Sequence, residues 1–414
     1  MHDCARAPRS WEARPQAGLV TASPNWDIIE FRGRAGLLEL EADWRRLYAA
    51  MPMRNSQHIF ESHLAYLDHV ARRPDEIRCL ALRERGEVRA ICLLQPRTDR
   101  ILGPPVQVWQ LPDVPLMRLR DIICPEDDAR RAFIPLLVDY LRERPDGCRL
   151  VDLGPLPENS VLWEGLERVG AGMYCTEKVE GMHVVDCTKP YEEFVARLSG
   201  HFRADLRRLR RKLDRLADVQ FVTVTDATHL DAAYDTLLDL ESSGWKGAAA
   251  GSSIQSMRGW PAFFRSLLSI SSDGDRCEIH ALYADGRCIA SLLGVLTGGE
   301  YDSLKTCYDE DYSPMGPSLQ LLAYAVERCC QDPQVVCMNW LNEWDWQLRW
   351  RPDSVAMQHT YIAIGRWSAV PLVALLRLRF GYVRRLRRWL RRERGRLESW
   401  RAGRRAAESA GSSR

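Results

Sequence analysis

The feature that most constrains this chain is an internal repeat. The stretch ALRERGEVRAICLL from Ala81 lines up with ALYADGRCIASLLG from Ala281, with Ala81/Ala281, Leu82/Leu282, Gly86/Gly286, Ala90/Ala290 and Leu93/Leu293 coinciding. Each stretch predicts a β-hairpin, two apolar strands around a turn that holds Gly. The flanks repeat in the same order. A strand (Asp27 to Phe31), a helix (Leu37 to Ala49) and a second helix (Glu61 to Ala71) precede the first hairpin; Val219 to Val224, Leu230 to Ser242 and Trp260 to Ile270 precede the second. Downstream, each copy offers another strand, a helix (Asp128 to Arg144; Ser318 to Cys330) and a further strand (Arg149 to Leu153; Val335 to Trp340). A repeat of this size predicts two similar domains, and 414 residues suffice for each to bury its own core. Val184 to Cys187, followed by Thr188, Lys189 and Pro190, reads as the last strand of the first copy and the hinge into the second, which puts the boundary near Lys189.

Composition narrows the class. With 46% apolar and 28% charged residues the middle of the chain should be folded throughout, behind a flexible segment at 1–24. The net charge of +2 hides an asymmetry: residues 366–405 hold fourteen Arg against Glu393 and Glu398, +12, which leaves −10 for the rest. Thirteen Cys at irregular spacing, with Cys329-Cys330 the only close pair, suggest neither a disulfide framework nor a CxxC metal site. His201, His280 and His359 stand apart, so no metal is expected. The first twenty residues contain Asp3, Pro8, Glu12 and Pro15 and no apolar run, and Trp367 to Leu376 is too short to span a bilayer. A cytoplasmic protein is expected.

Four blocks of the second copy carry more specific text: FRADLRRLRRKL from Phe202, DLESSGWKG from Asp239, LKTCYDEDYSPMGPSLQLL from Leu304 and NWLNEWDWQLRW from Asn339. In this order they resemble the CelD-like acetyltransferase family, a branch of the GNAT superfamily related to the Fem aminoacyl transferases. The resemblance implies an α/β (α+β) chain of tandem GNAT-like domains, at 25–189 and 190–365, each a mixed, mainly antiparallel sheet flanked by helices, with a basic C-terminal helix in the tail 366–414. It implies an N-acyltransferase that takes acetyl-CoA or another acyl-CoA as donor. The acceptor would be an amino sugar or another envelope or exopolysaccharide precursor. Two alternatives stay open, a Fem-type transferase using aminoacyl-tRNA and a non-catalytic assembly factor of polysaccharide synthesis.

The residues themselves suggest where such chemistry would sit. A CoA pyrophosphate needs backbone N–H groups where a loop runs into a helix, and Ser313, Met315, Gly316 and Ser318 occupy that place in the second copy. The equivalent point of the first copy, Glu126-Asp127-Asp128, would repel phosphate, so that copy is expected to be structural or to contact only the acceptor. Lys305 could stabilise an oxyanion, Tyr308 could protonate the departing thiolate, and Asp309, Glu310 or Asp311 could accept the acceptor's proton. By resemblance, the loop of Glu241, Trp245 and Lys246 lies on the acceptor side. Trp346, in a cluster with Trp340, Trp344 and Trp350, suits either core packing or a wall for a sugar ring.

Two basic segments remain. Residues 203–215 form an amphipathic helix with a basic outer face, either solvated or set against the 3′-phosphate of CoA, an acyl carrier protein or tRNA. Residues 373–400 alternate Leu, Val, Phe and Trp with Arg at near-helical spacing, which suits either an anionic membrane surface or packing on the protein itself.

Overall fold

The computed structural model describes residues 26–100, 105–116, 120–144, 147–160, 162–170, 172–244, 253–272, 274–365 and 371–382. The expected flexible segment at 1–24, together with Trp245 and Lys246, lies outside them.

The first copy runs β1 (Trp26–Arg32), α1 (Gly33–Glu39), α2 (Glu41–Ala50), α3 (Phe60–Ala65), β2 (Arg78–Glu84), β3 (Glu87–Asp99), β4 (Val106–Gln110), α4 (Asp127–Glu143), β5 (Cys148–Pro157), α5 (Trp163–Val169) and β6 (Tyr174–Asp186). The second runs α6 (Tyr191–Arg197), α7 (Gly200–Asp214), β7 (Val219–Val224), α8 (Ala227–Ser243), α9 (Trp260–Leu267), β8 (Ser271–Ser272), β9 (Asp275–Ala284), β10 (Arg287–Thr297), β11 (Glu300–Tyr308), α10 (Pro317–Gln331), β12 (Cys337–Asn339) and β13 (Asp353–Ala363). The single helix expected at Leu37 to Ala49 is two, parted at Leu40 (φ −91°, ψ 0°), whose N–H turns back to Leu37 O at 3.1 Å.

The two hairpins repeat down to their irregularities. Arg85-Gly86 and Asp285-Gly286 both turn with positive φ at each residue, the conformation that joins twisted strands through two residues. Past the turns, Arg83 pairs with Val88 and Leu82 with Ala90, which leaves Arg89 as an extra residue. Tyr283 pairs with Cys288 and Leu282 with Ala290, which leaves Ile289 in the same place. The fold is thus a tandem mixed α/β architecture, as the repeat predicts.

The copies are joined by more than a linker. One sheet runs β1-β2-β3-β4-β5-β13-β6-β12-β11-β10-β9-β7. The last strand of the second copy, β13, lies against β5 of the first, from Met357↔Pro157 to Ala363↔Leu150. The last strand of the first, β6, lies against β12 of the second through Val184, Val185 and Asp186. Each copy therefore completes the other. β6 begins ten residues ahead of the Val184 start read from the sequence, because its N-terminal half pairs with β13 rather than within its own copy.

Asp152 on β5 locks one side of this exchange. Fully buried, it accepts from His359 Nε2 on β13 (2.7 Å), Arg97 Nη2 on β3 (2.8 Å) and its own loop's Gly154 N–H (2.7 Å). Burial works against its charge, but these partners hold its carboxyl below the usual range. The tail helix α11, residues 371–382, is also held by the sheet: Val373 and Leu376 are buried beside Val108, Leu150 and Tyr361. One side of the apolar stripe expected to meet a membrane thus packs on the protein itself, leaving Leu375, Leu378 and Tyr382 exposed. Among the described residues no helix is long and apolar enough to cross a membrane.

On the second side a different pair is buried. Ser56 of the first copy donates to Asp302 on β11 (2.5 Å), and Asn339 on β12 donates to Glu300 (2.6 Å). Burial, then the neighbouring Glu300 carboxyl, pushes Asp302 well above the carboxylate range, so the fold holds a proton that an unfolded Asp releases near about pH 4. A raised carboxyl favours the fold below that pH and costs stability as pH rises above it. Asp302→Asn keeps an acceptor for Ser56 and removes this cost. Its melting temperature, followed by circular dichroism, should match the parent near pH 4 and exceed it by a few degrees near pH 8.

Candidate functional site

The site follows from how β11 leaves β12. The two strands pair in parallel for three residues only, Glu300 to Asp302 against Cys337 to Asn339. Beyond that point Leu304 bulges out of the β10 register, between Leu293↔Lys305 and Gly294↔Ser303. On the other strand, Trp340 N–H bonds to His183 O on β6 and Leu341 takes a positive φ of 61°, its N–H held by Asn339 Oδ1 (2.7 Å). The strands splay, and the wedge between them opens toward the end of β11.

Lys305 sits at the start of this wedge. Its ammonium lies 2.6 Å from Glu241 Oε1 at the end of α8, and Glu241 Oε2 accepts Ile254 N–H (2.7 Å). The Glu241 side chain is fully buried, and Lys305 keeps 11% of its own exposed. Two residues singled out separately in the sequence are therefore one ion pair, which also fixes the segment returning from the loop after α8. That loop leaves at Gly244, where an added Cβ would stand 3.4 Å from Glu310 Oε1. Cys307 faces α8 through its Sγ contact to Leu237 O, so Tyr308, the next residue, faces the opposite layer with Met315 and Trp340.

The loop at the wide end is more self-contained than the sequence suggests. Asp309 caps a short 3₁₀ turn: Oδ1 accepts Asp311 N–H (3.1 Å) and Oδ2 accepts Arg287 (2.5 Å). Both oxygens are thus engaged in holding the turn. Gly316 has a φ of +59°, its N–H goes to Ser313 O, and its carbonyl receives Leu319 and Gln320 N–H. Pro317 has no N–H, which leaves Ser318 as the first helical amide without a backbone partner among the described residues. Met315 is buried, its carbonyl taken by Gln320 Nε2 (2.8 Å). The expected cradle of several donors is thus reduced to the Ser318 amide and the positive end of α10. Above it lies α7, with Leu209 against Gly316 and Lys212 Nζ 3.4 Å from Pro314 O.

Among the described residues the first copy has no equivalent wedge. Gln95 on β3 pairs with Gln110, and Ile91 bridges to Ile123, so residues 111–122 intervene. The matching positions of the second copy, Val295↔Asp302 and Ser291↔Cys307, enclose only 303–306. The excursion replaces the stretch that carries Lys305. Before α4, Arg130 fills the loop by donating to the carbonyls of Cys124 (3.0 Å) and Pro125 (2.9 Å).

Trp346 stacks on the buried Trp340 (centroids 6.2 Å apart) at the end of β12 and stays 48% exposed; Trp344 is 56% exposed. Trp350 is core, packed on Phe202 and Phe194. Sequence reading missed His183, a first-copy residue placed in the second copy's site by β6, where its Nδ1 meets Gln347 Oε1 at 2.8 Å. Only knowledge of the strand exchange could have found it.

Residues 200–341 match the model of the acetyltransferase (GNAT) domain, so this half carries an acyltransferase domain and the chain is a transferase. A search of curated proteins gave no match. Among solved structures, the chain resembles FemX at 10% identity over 78% of this chain and 95% of that one, with a TM-score of 0.52. It resembles a conserved protein of unknown function from Bacteroides thetaiotaomicron at 9% identity over 78% and 97%, with a TM-score of 0.50. A tandem GNAT protein from the clavulanic acid biosynthesis pathway aligns at 14% identity over 82% and 99%, with a TM-score of 0.45. At such identities the likeness is one of fold.

The Glu241–Lys305 pair makes a direct prediction. Removing one partner strands the other in a nearly dry site, so Glu241→Gln should cost on the order of 3 kcal/mol in urea unfolding. The double substitution Glu241→Gln/Lys305→Met leaves no unpaired charge and should recover most of that loss.

Proposed function

We propose that this chain is an acyl-CoA-dependent N-acyltransferase with one active site, in the wedge of the second copy. The observation that carries the proposal is the parting of β11 from β12 beside the N-terminus of α10, with a buried ion pair at its base. The pantetheine arm would lie in the wedge and its phosphates at Ser318 and the α10 terminus, with Lys212 beside them. An acceptor amine attacks the thioester carbonyl; the C–N bond forms, the C–S bond breaks, and the thiolate leaves. The Lys305 ammonium, a cation with three donors, stabilises the oxyanion, while Tyr308 supplies the thiolate's proton. Glu310, at the mouth of the loop after α8, takes the proton of the amine.

For the acceptor we favour an amino sugar of an envelope or exopolysaccharide precursor, in line with the CelD-like text of this half. The exposed rings of Trp344 and Trp346 suit a sugar face, and the exposed Glu343 and Asp345 beside them suit its ammonium. Isothermal titration with acetyl-CoA and with tRNA tests the donor: micromolar acetyl-CoA binding is expected, and binding of tRNA alone would overturn the reading. Gly316→Val should weaken that binding about tenfold, since it both strains a left-handed residue and presses on Leu209. Asp127→Asn/Asp128→Asn should leave it unchanged. In the double variant without the buried pair, turnover should fall on the order of a hundredfold with the fold retained.

The same reading places the enzyme at an anionic membrane surface through Leu375, Leu378 and Tyr382 and the Arg-rich residues after them. Sedimentation with phosphatidylserine-containing vesicles should pellet the full chain at low salt and release it at high salt. Leu375→Glu/Leu378→Glu should remain in the supernatant; equal pelleting of parent and variant would end the membrane assignment.

A further inference from the structure

A cavity of about 830 Å³ lies far from the wedge in sheet order, along β1. It is lined by the consecutive residues 28–32, by Arg78 and Arg83 of β2, by Tyr140 of α4 and by Arg144 just past its end. Consecutive strand residues point to opposite faces, so a cavity lined by five in a row follows the strand's edge rather than one face. β1 ends the sheet, and among the described residues its outer backbone groups meet no neighbouring strand.

The lining is strongly cationic. Arg78 keeps only 8% of its side chain exposed, lies 4.2 Å over the Trp109 ring and stands 3.6 Å from Glu30. Arg32 also reaches Glu30 (2.8 Å), as does the Tyr140 hydroxyl (2.7 Å), and Arg144 stacks on Tyr140 at 3.9 Å. Arg83 is paired with Asp27. Four guanidinium groups thus face two carboxylates, a local surplus of positive charge on a body that carries −10 outside 366–405. Arg144 has no carboxylate partner among the described residues.

We infer that this edge binds an extended acidic peptide segment of a partner protein, added to the sheet as a strand beside β1. A free edge presents alternating N–H and C=O groups, which a strand satisfies and a small anion does not. Acidic side chains at alternate positions would all fall on one face of the added strand, the face that carries Arg32, its cross-strand neighbour Arg78, and Arg144. The chain's own residues 1–25 carry three Arg against Asp3 and Glu12, so they lack the complementary charge.

The test uses the full chain and a fluorescein-labelled peptide, Glu-Val-Glu-Ile-Glu-Val-Glu, with its Lys-for-Glu counterpart as control. Anisotropy should report binding of the acidic peptide that weakens with salt, and about tenfold or greater loss for Arg32→Glu/Arg144→Glu, two exposed positions whose substitution spares the core. Amide hydrogen exchange should slow across residues 26–32 when the peptide binds. Equal binding of the Lys peptide, an unaffected variant, or competition by citrate without amide protection would overturn the inference, the last by assigning a small-anion site. Concentration-dependent dimerisation abolished by the same double variant would assign the edge to a second copy, and would also overturn it.

Discussion

The structure depends on one constraint: neither copy has its own final strand. β6 closes the second copy and β13 closes the first, so the sheet is continuous only while both are present. Backbone hydrogen bonding enforces this, since the middle of a sheet tolerates no unpaired strand edge away from water. The exchange also explains why polar groups concentrate at the junction. Asp152, His359 and Arg97 gather where β13 enters, and Ser56, Asp302, Glu300 and Asn339 where the first copy leans on the second.

Those two clusters occupy matching positions with their chemistry interchanged. In the first copy the paired residues are Gln110 and Asp152; in the second they are Asp302 and Asn339. Each pair sets one acid against one amide at the last parallel contact before the strands separate. In the first copy the acid faces a guanidinium and an imidazole and is held ionised. In the second it faces another carboxyl and a hydroxyl and is held protonated. Matching positions thus hold a charged acid in one copy and a neutral one in the other, and only the second copy keeps a short strand beyond the pair, where Lys305 can stand.

Much of this was legible in the sequence. The hairpins were, because positive-φ turn pairs and alternating strands are local signals, as were the amphipathic α7 and α8. The pairing of Lys305 with Glu241 was not, although both residues stood out, since sixty-odd positions of chain separate a helix end from a strand that only the fold aligns. The helix start just after Gly316 was legible too, yet the turn ahead of it closes on itself through Asp309 and Ser313, a choice that local composition does not reveal. The early start of β6 was hidden for a further reason: its partner lies near the opposite end of the chain.

The exchange also limits how this protein can be divided. The segment that matches the acetyltransferase domain, 200–341, contains neither β6 nor β13. Cut out alone, it would present β12 as a raw edge, with Asn339, Trp340 and the wedge they frame deprived of the backbone that holds them. Nor would the first copy survive alone, since β5 and Asp152 would lose the strand bearing His359. The matched segment is contiguous in sequence, yet its sheet is completed by strands that lie outside it, so its surroundings are set by residues the segment does not contain.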